Sequence, residues 1–183
     1  GLLVSQVDHE PFATHLPLLL DRNAGQYGTL IGHVARANPH WKHFHDRTAL
    51  AVFNGPHAYI SPTWYQAENV VPTWNYLAVH AYGSITIVED ELTLLDIVRD
   101  LVFVYERTMP QPWSFDPTAA FVKPLLSAIV GFRMEITRVE GKFKLNQNHS
   151  VERRKKVASA LRAQGGENPR EIAAAISRGF SPP

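Results

Sequence analysis

The run Pro72-Thr73-Trp74-Asn75-Tyr76-Leu77-Ala78-Val79-His80-Ala81-Tyr82-Gly83-Ser84-Ile85-Thr86-Ile87-Val88 reads as one long strand. It is rich in β-branched and aromatic residues, and Gly83 marks a bulge or bend within it. At Asp90 the period changes. Leu94, Ile97, Val98, Leu101, Val102 and Tyr105 recur at helical spacing, while Asp96, Arg99, Asp100 and Glu106 take the other side. Asp90 is placed to cap this helix, and Glu91 suits the positive end of its dipole.

Upstream, the pattern is β throughout. Leu2 to Val7, Phe12 to Leu20 and Gly28 to Val34 read as strands, the last two joined by the turn Asp21-Arg22-Asn23-Ala24-Gly25. A loop and short helix cover Ala35 to Asp46. Thr48 to Phe53 and His57 to Ser61 read as two strands around an Asn54-Gly55-Pro56 turn. Downstream, Pro110 and Pro112 close the long helix. A second helix lies at roughly Ala119 to Ile129, where Pro124 either kinks it or opens it. Gly131 to Val139 is a strand, Glu140-Gly141-Lys142 a turn, and Phe143 to Leu145 resumes. Ser150 caps a helix of Val151 to Ala163, Gly165-Gly166 breaks it, and Pro169 opens a last helix to about Ser177. The expected fold class is α+β: a mainly antiparallel β-barrel with flanking helices. The expected layout is one domain over 1–149 with helices inserted at about 90–129, and a helical tail over 150–183.

The composition narrows the chemistry. The chain has 183 residues, 45% hydrophobic and 19% charged, which excludes disorder as the main state. A net charge of +1 writes no broad phosphate-binding footprint into the chain, so any nucleic-acid surface is a local patch. With no cysteine, disulfides, thiolate catalysis, Cys-ligated zinc and iron–sulfur clusters are excluded. The apolar runs are too short for a membrane helix, and the first residues do not read as a signal peptide. Nine histidines suggest a metal or haem. Yet His40, His43 and His45 come without HExxH or a carboxylate-rich partner, and a solvated short helix explains them more simply.

Four polar-aromatic clusters interrupt the hydrophobic pattern: His33–Pro39, Gly55–Tyr65, Val71–Tyr76 and Gly141–Asn148. Together they bring cations, amides, hydroxyls and rings. That set suits a planar heteroaromatic ligand carrying a phosphate: rings lie against the plane, amides read its edge, and Arg or Lys neutralises the phosphate. Plain structural roles account for the same residues, with Trp64, Trp74 and Tyr76 in a core and Arg36 in a surface ion pair. No Rossmann or Walker fingerprint is present, and no GxSxG elbow surrounds Ser61. In the tail, Arg153-Arg154-Lys155-Lys156 and Arg162 make a basic helix. It superficially suggests helix-turn-helix, but packing of an apolar stripe of Val151, Val157, Ala158 and Leu161 is the simpler reading.

Taken in order, these stretches resemble the PaiB family of FMN-binding negative transcriptional regulators. The resemblance rests on His15–Asp21, Gly32–Pro39, Gly55–Tyr65, Val71–Tyr76, Ala128–Phe132 and Glu140–Asn148. It departs in the short Tyr65–Val70 loop, and in starting near the first barrel strand where the family begins with an extra helix. The resemblance implies a split β-barrel like that of flavin reductases and pyridoxamine-phosphate oxidases. It further implies a cytoplasmic homodimer, FMN as cofactor, and repression of genes for sporulation or protease production, with DNA contacted directly or indirectly. On this reading Arg36 and Lys144 pair with the phosphate. His33, Asn38, Ser61, Thr73, Asn75 and Gln147 supply hydrogen bonds, and Trp74 or Tyr76 walls the ring. No catalytic residue or metal ligand is expected. The alternatives on the same barrel are an FMN-dependent oxidoreductase and a haem-handling protein.

Overall fold

Strand β7 (Ile129–Lys144) shows how the β half is built, because its buried residues Val130, Phe132, Met134 and Ile136 fall two apart. In the computed structural model, which describes residues 1–44 and 48–179, six more strands accompany it: β1 (Leu2–Val7), β2 (Glu10–His15), β3 (Leu19–Asp21), β4 (Thr29–Ala35), β5 (Thr48–Ile60) and β6 (Thr73–Val88). The helices are α1 (Glu91–Glu106), α2 (Val122–Ser127), α3 (Val151–Gln164) and α4 (Glu167–Arg178). The chain divides into two units, one of residues 1–52 and 80–139, the other of 53–79 and 140–183. The strands β5, β6 and β7 are long enough to supply segments to both.

The first unit is a seven-stranded sheet in the order β2-β1-β5-β6-β7-β4-β3. The pairings of β1 with β2 and β5, and of β4 with β3 and β7, are antiparallel. The terminal strands β2 and β3 are not neighbours, so the sheet is not closed. At Gly83 strand β6 approaches β7 closely, since a Cβ there would fall on the Glu135 carbonyl oxygen. The expected bend is therefore a close backbone approach. Asp90 caps α1 by accepting from the Thr93 N–H at 2.9 Å, and the helix buries Leu94, Ile97 and Leu101. Tyr105, counted in the same apolar stripe, is exposed. Pro124 lies in the first turn of α2, where its missing N–H has no helical partner to lose.

Two expected turns are absent. The chain runs straight through Asn54-Gly55-Pro56 as part of β5, and through Glu140-Gly141-Lys142 as part of β7. A Cβ on Gly55 would stand 3.2 Å from the Leu77 carbonyl oxygen, so its glycine serves close strand packing. Pairing of β1 with β5 ends at Val52, leaving Pro56 in a stretch with β6 as its neighbouring strand. A missing N–H is tolerated in such a stretch.

The second unit is built around α3 and α4. Val157, Ala158 and Leu161 pack with Ile172, Ala173 and Ile176, and with Ile60, Tyr65 and Leu145. Val151, expected in that stripe, is half exposed. Gly165 and Gly166 have φ of 78° and 85°, a left-handed turn that L side chains enter at a cost.

Candidate functional site

The end of β7 and the start of β6 frame a polar pocket in the second unit. Its volume is about 310 Å³, and its walls include Thr73, Lys144, Asn146, Asn148, His149 and Arg153. The Lys144 ammonium donates to Thr73 Oγ1 at 2.9 Å and sits 5.9 Å from the centroid of the Tyr76 ring. Tyr65 forms the floor. It stacks on His149 with centroids 4.6 Å apart, and its hydroxyl accepts from Asn146 Nδ2 at 2.9 Å. Burial pushes the Tyr65 phenol above its ordinary pKa, against the opposing influence of the Asn146 bond and the Arg153 charge. Two pocket asparagines, Asn69 and Asn146, hold left-handed backbone with φ of 58° and 59°. Such angles persist where the surroundings fix them, often at binding sites.

The pocket offers two cations, several amides and the hydroxyls of Thr73 and Tyr65, with no carboxylate lining it among the described residues. That donor set fits a phosphate, which needs positive charge and N–H or O–H donors in a partly dry recess.

The ten residues expected at a site divide between the units. Thr73, Lys144 and Gln147 meet in this pocket. Gln147 also ties down the end of β7: its Oε1 accepts from the Leu145 N–H at 2.8 Å and its Nε2 donates to the Phe143 carbonyl. Trp74 is 53% exposed and lies beside Tyr59 and His57, at centroid distances of 6.0 and 6.2 Å. Asn75 is fully buried, with both amide atoms unpartnered among the described residues. Ser61 caps a 3-10 turn at Pro62–Tyr65, its Oγ accepting from the Thr63 N–H.

His33, Arg36 and Asn38 belong to the first unit. Arg36 donates to the Ser127 and Ile129 carbonyls and to Glu89, at 2.9, 3.1 and 2.9 Å. Asn38 caps the 3-10 turn Pro39–His43 and donates to Thr14. His33 lines an apolar cavity, and burial lowers its pKa. His40 is fully buried, with Nε2 paired to Ser5 Oγ and Nδ1 to Thr14 Oγ1, each at 2.8 Å. Neither ring nitrogen is left for a metal. His45, the third of that histidine group, lies outside the described residues.

Arg153, His149, Asn146, Tyr65 and Asn69 were not singled out from the sequence as site residues. The amide-rich run Asn146-Gln147-Asn148-His149 was the available signal. Arg153 looked like one more cation of a solvated helix.

Comparison with known proteins agrees with this architecture. The chain is 34% identical over 175 residues to the Bacillus subtilis protein named protease synthase and sporulation protein PAI 2, covering 94% of this chain and 83% of the relative. An uncharacterized protein of Aspergillus fumigatus is 31% identical over 203 residues, covering 88% of this chain and 78% of the relative. Among solved structures, the flavocytochrome Anf3 from Azotobacter vinelandii aligns with a TM-score of 0.54 at 17% identity, over 78% of this chain and 60% of its own. A FAD and haem binding protein from Mycobacterium smegmatis aligns at 0.55 and 14% identity, over 91% and 72%. These two share the fold, an α+β split barrel with an antiparallel sheet. The family model described as "Putative FMN-binding domain" matches residues 1–138. The chain belongs to that family, the one that includes PAI 2 of Bacillus subtilis.

Proposed function

We propose that this protein is an FMN-binding transcriptional regulator of the PAI 2 type. The observation that carries the cofactor assignment is the Lys144–Thr73 pair, set beside Arg153 in a pocket that lacks carboxylates. On this reading Lys144, Thr73 and Arg153 hold the phosphate, and the amides of Asn146 and Asn148 add donors. Tyr76 and the half-exposed Trp74 offer aromatic faces for the ring. Bound FMN would supply an electron-accepting isoalloxazine, and this chain's residues bind and orient it. Arg36, the other cation expected at the phosphate, belongs to the first unit, where Glu89 and the Ser127 and Ile129 carbonyls hold it.

The regulatory reading rests on the likeness to PAI 2 over 94% of this chain. With it come a homodimer, a cytoplasmic site of action and DNA as a direct or indirect target. Among the described residues no helix is long and apolar enough to cross a membrane. The basic run of α3 gives limited support to direct DNA reading, because several of its cations are engaged. Lys156 pairs with Glu152, and Arg154 donates to the Ile176 carbonyl.

Absorption titration of the purified protein with FMN tests the assignment. Saturable binding with a shifted flavin spectrum, weakened in Lys144→Met, is the expected result. Absence of binding, or equal affinity in the variant, would overturn the site.

A further inference from the structure

The first unit holds a cavity of about 410 Å³ between α1, α2 and the sheet. Its walls are almost wholly apolar, with Val98, Phe115, Val122 and Leu126 among them. The cavity is partly open to solvent, with Phe121 and Leu125 exposed at its edge, so it is no gap in the packing of an interior. It lies instead in the range of small-molecule sites. Two features of the wall point to a ligand.

First, His33 lines the cavity and its ring has no hydrogen-bond partner among the described residues, with Nδ1 buried. An unpartnered polar group in an apolar wall is costly unless something pairs with it. Second, Trp113 and Phe115 stack with centroids 5.6 Å apart and both line the cavity. Phe121 and Leu125, also in its lining, are 52% and 61% exposed. A molecule seated there would cover apolar surface now facing water.

We propose that this cavity binds a small, uncharged, largely apolar molecule carrying one hydroxyl group that hydrogen-bonds His33. Among the described residues no charged side chain lines the cavity, so an ionic ligand would lose its hydration without compensation. A neutral imidazole has one donor and one acceptor nitrogen, and a hydroxyl satisfies either. Burial lowers the His33 pKa, which favours the neutral ring. The site stands apart from the proposed FMN pocket in residues and chemistry, and suits an effector.

The test uses the full chain and two fluorescent probes, 1-naphthol and naphthalene, which differ by the hydroxyl. Titration followed by tryptophan and probe fluorescence should show saturable binding of both, with naphthol the tighter. His33→Leu should weaken naphthol about tenfold, the effect of one lost hydrogen bond, and leave naphthalene within about twofold. Ala35→Phe places a ring at the cavity wall from an exposed strand position and should weaken both probes. Circular dichroism confirms that each variant is folded. No saturable binding by the parent chain would overturn the proposal. So would an equal effect of His33→Leu on the two probes, or unchanged binding of both in Ala35→Phe.

Discussion

Lys144 reaches from the last residue of β7 to the first residue of β6, its ammonium 2.9 Å from the Thr73 hydroxyl oxygen. The bond fixes a long, flexible cation at the mouth of a polar pocket. Fixing it in the free protein lowers the entropy lost when an anion binds. Lys144→Met should weaken FMN binding by about 1.5–3 kcal/mol, the range for a hydrogen bond to a charged group. Lys144→Arg should recover part of the loss. Calorimetric titration of the three proteins measures this, and an unchanged affinity in Lys144→Met would remove the phosphate from this pocket.

Asn75 gives a prediction with two readouts. Its amide is fully buried and unpartnered, a desolvation cost of about 1–3 kcal/mol. Asn75→Leu keeps the number and branching of side-chain heavy atoms, with bulkier methyl groups and no polar atoms, so it should raise the stability of the free protein by about 1 kcal/mol. If Asn75 also serves FMN, the same variant loses affinity while gaining stability. Urea unfolding beside flavin titration separates the two effects. A lower urea midpoint would show that relief of the unpartnered amide does not outweigh the bulk of the added methyl groups.

His40 sets an acid limit on the first unit. Burial, and secondly the His43 charge, lower its pKa to about 4. The unfolded chain binds that proton near pH 6.5. Between about pH 6.5 and 4 the unfolded state therefore holds more protons, and stability falls as pH drops through that window. The slope approaches about 1.4 kcal/mol per pH unit where the difference is one whole proton. Above about pH 6.5 the contribution is flat. In His40→Gln, urea midpoints followed from pH 7 to about 4.5 should show a shallower decline than in the parent. An identical decline would assign the acid sensitivity elsewhere.

Among the glycines, Gly83 has the least room for a side chain. A methyl group there would collide with the Glu135 carbonyl of the facing strand, and backbone in a paired sheet gives little. Gly83→Ala should lower stability by about 1–3 kcal/mol, as overpacking does, or shift the strand locally. Gly141, where a Cβ meets only the far edge of Phe143 at 3.7 Å, is the control. Gly141→Ala should be within about 0.5 kcal/mol of the parent, as expected where no such feature is touched. Equal thermal stability of the two variants would discount the strand contact as a constraint.

Much of the fold was legible because its signals are local. Asp90, three residues before the N–H it accepts from, capped α1 as read, and the Leu94, Ile97, Leu101 stripe is the buried face. Gly165-Gly166 ended α3, and Pro124 opened α2. Phe12 to Leu20, read as one strand, is divided between β2 and β3, and other errors came where a local turn preference met a sheet. Asn54-Gly55-Pro56 and Glu140-Gly141-Lys142 have turn composition, yet both are strand. Turn propensity is worth little against continuous pairing with a neighbouring strand, and only the fold supplies that neighbour.

The sequence by itself therefore determined the α+β class, the bounds of α1 and α3 and the family, through periodicity, caps and an ordered set of motifs. Tertiary structure decided which polar residues do chemistry together. Thr73 and Lys144 are 71 positions apart along the chain yet share a hydrogen bond. Arg153, from a helix that looked merely solvated, lines the same pocket. His33 turned out to face an apolar cavity, and Arg36 to engage Glu89 and two carbonyls. Periodicity reports which face of an element is apolar. It carries no information on which distant element that face meets, and a binding site is made of such meetings.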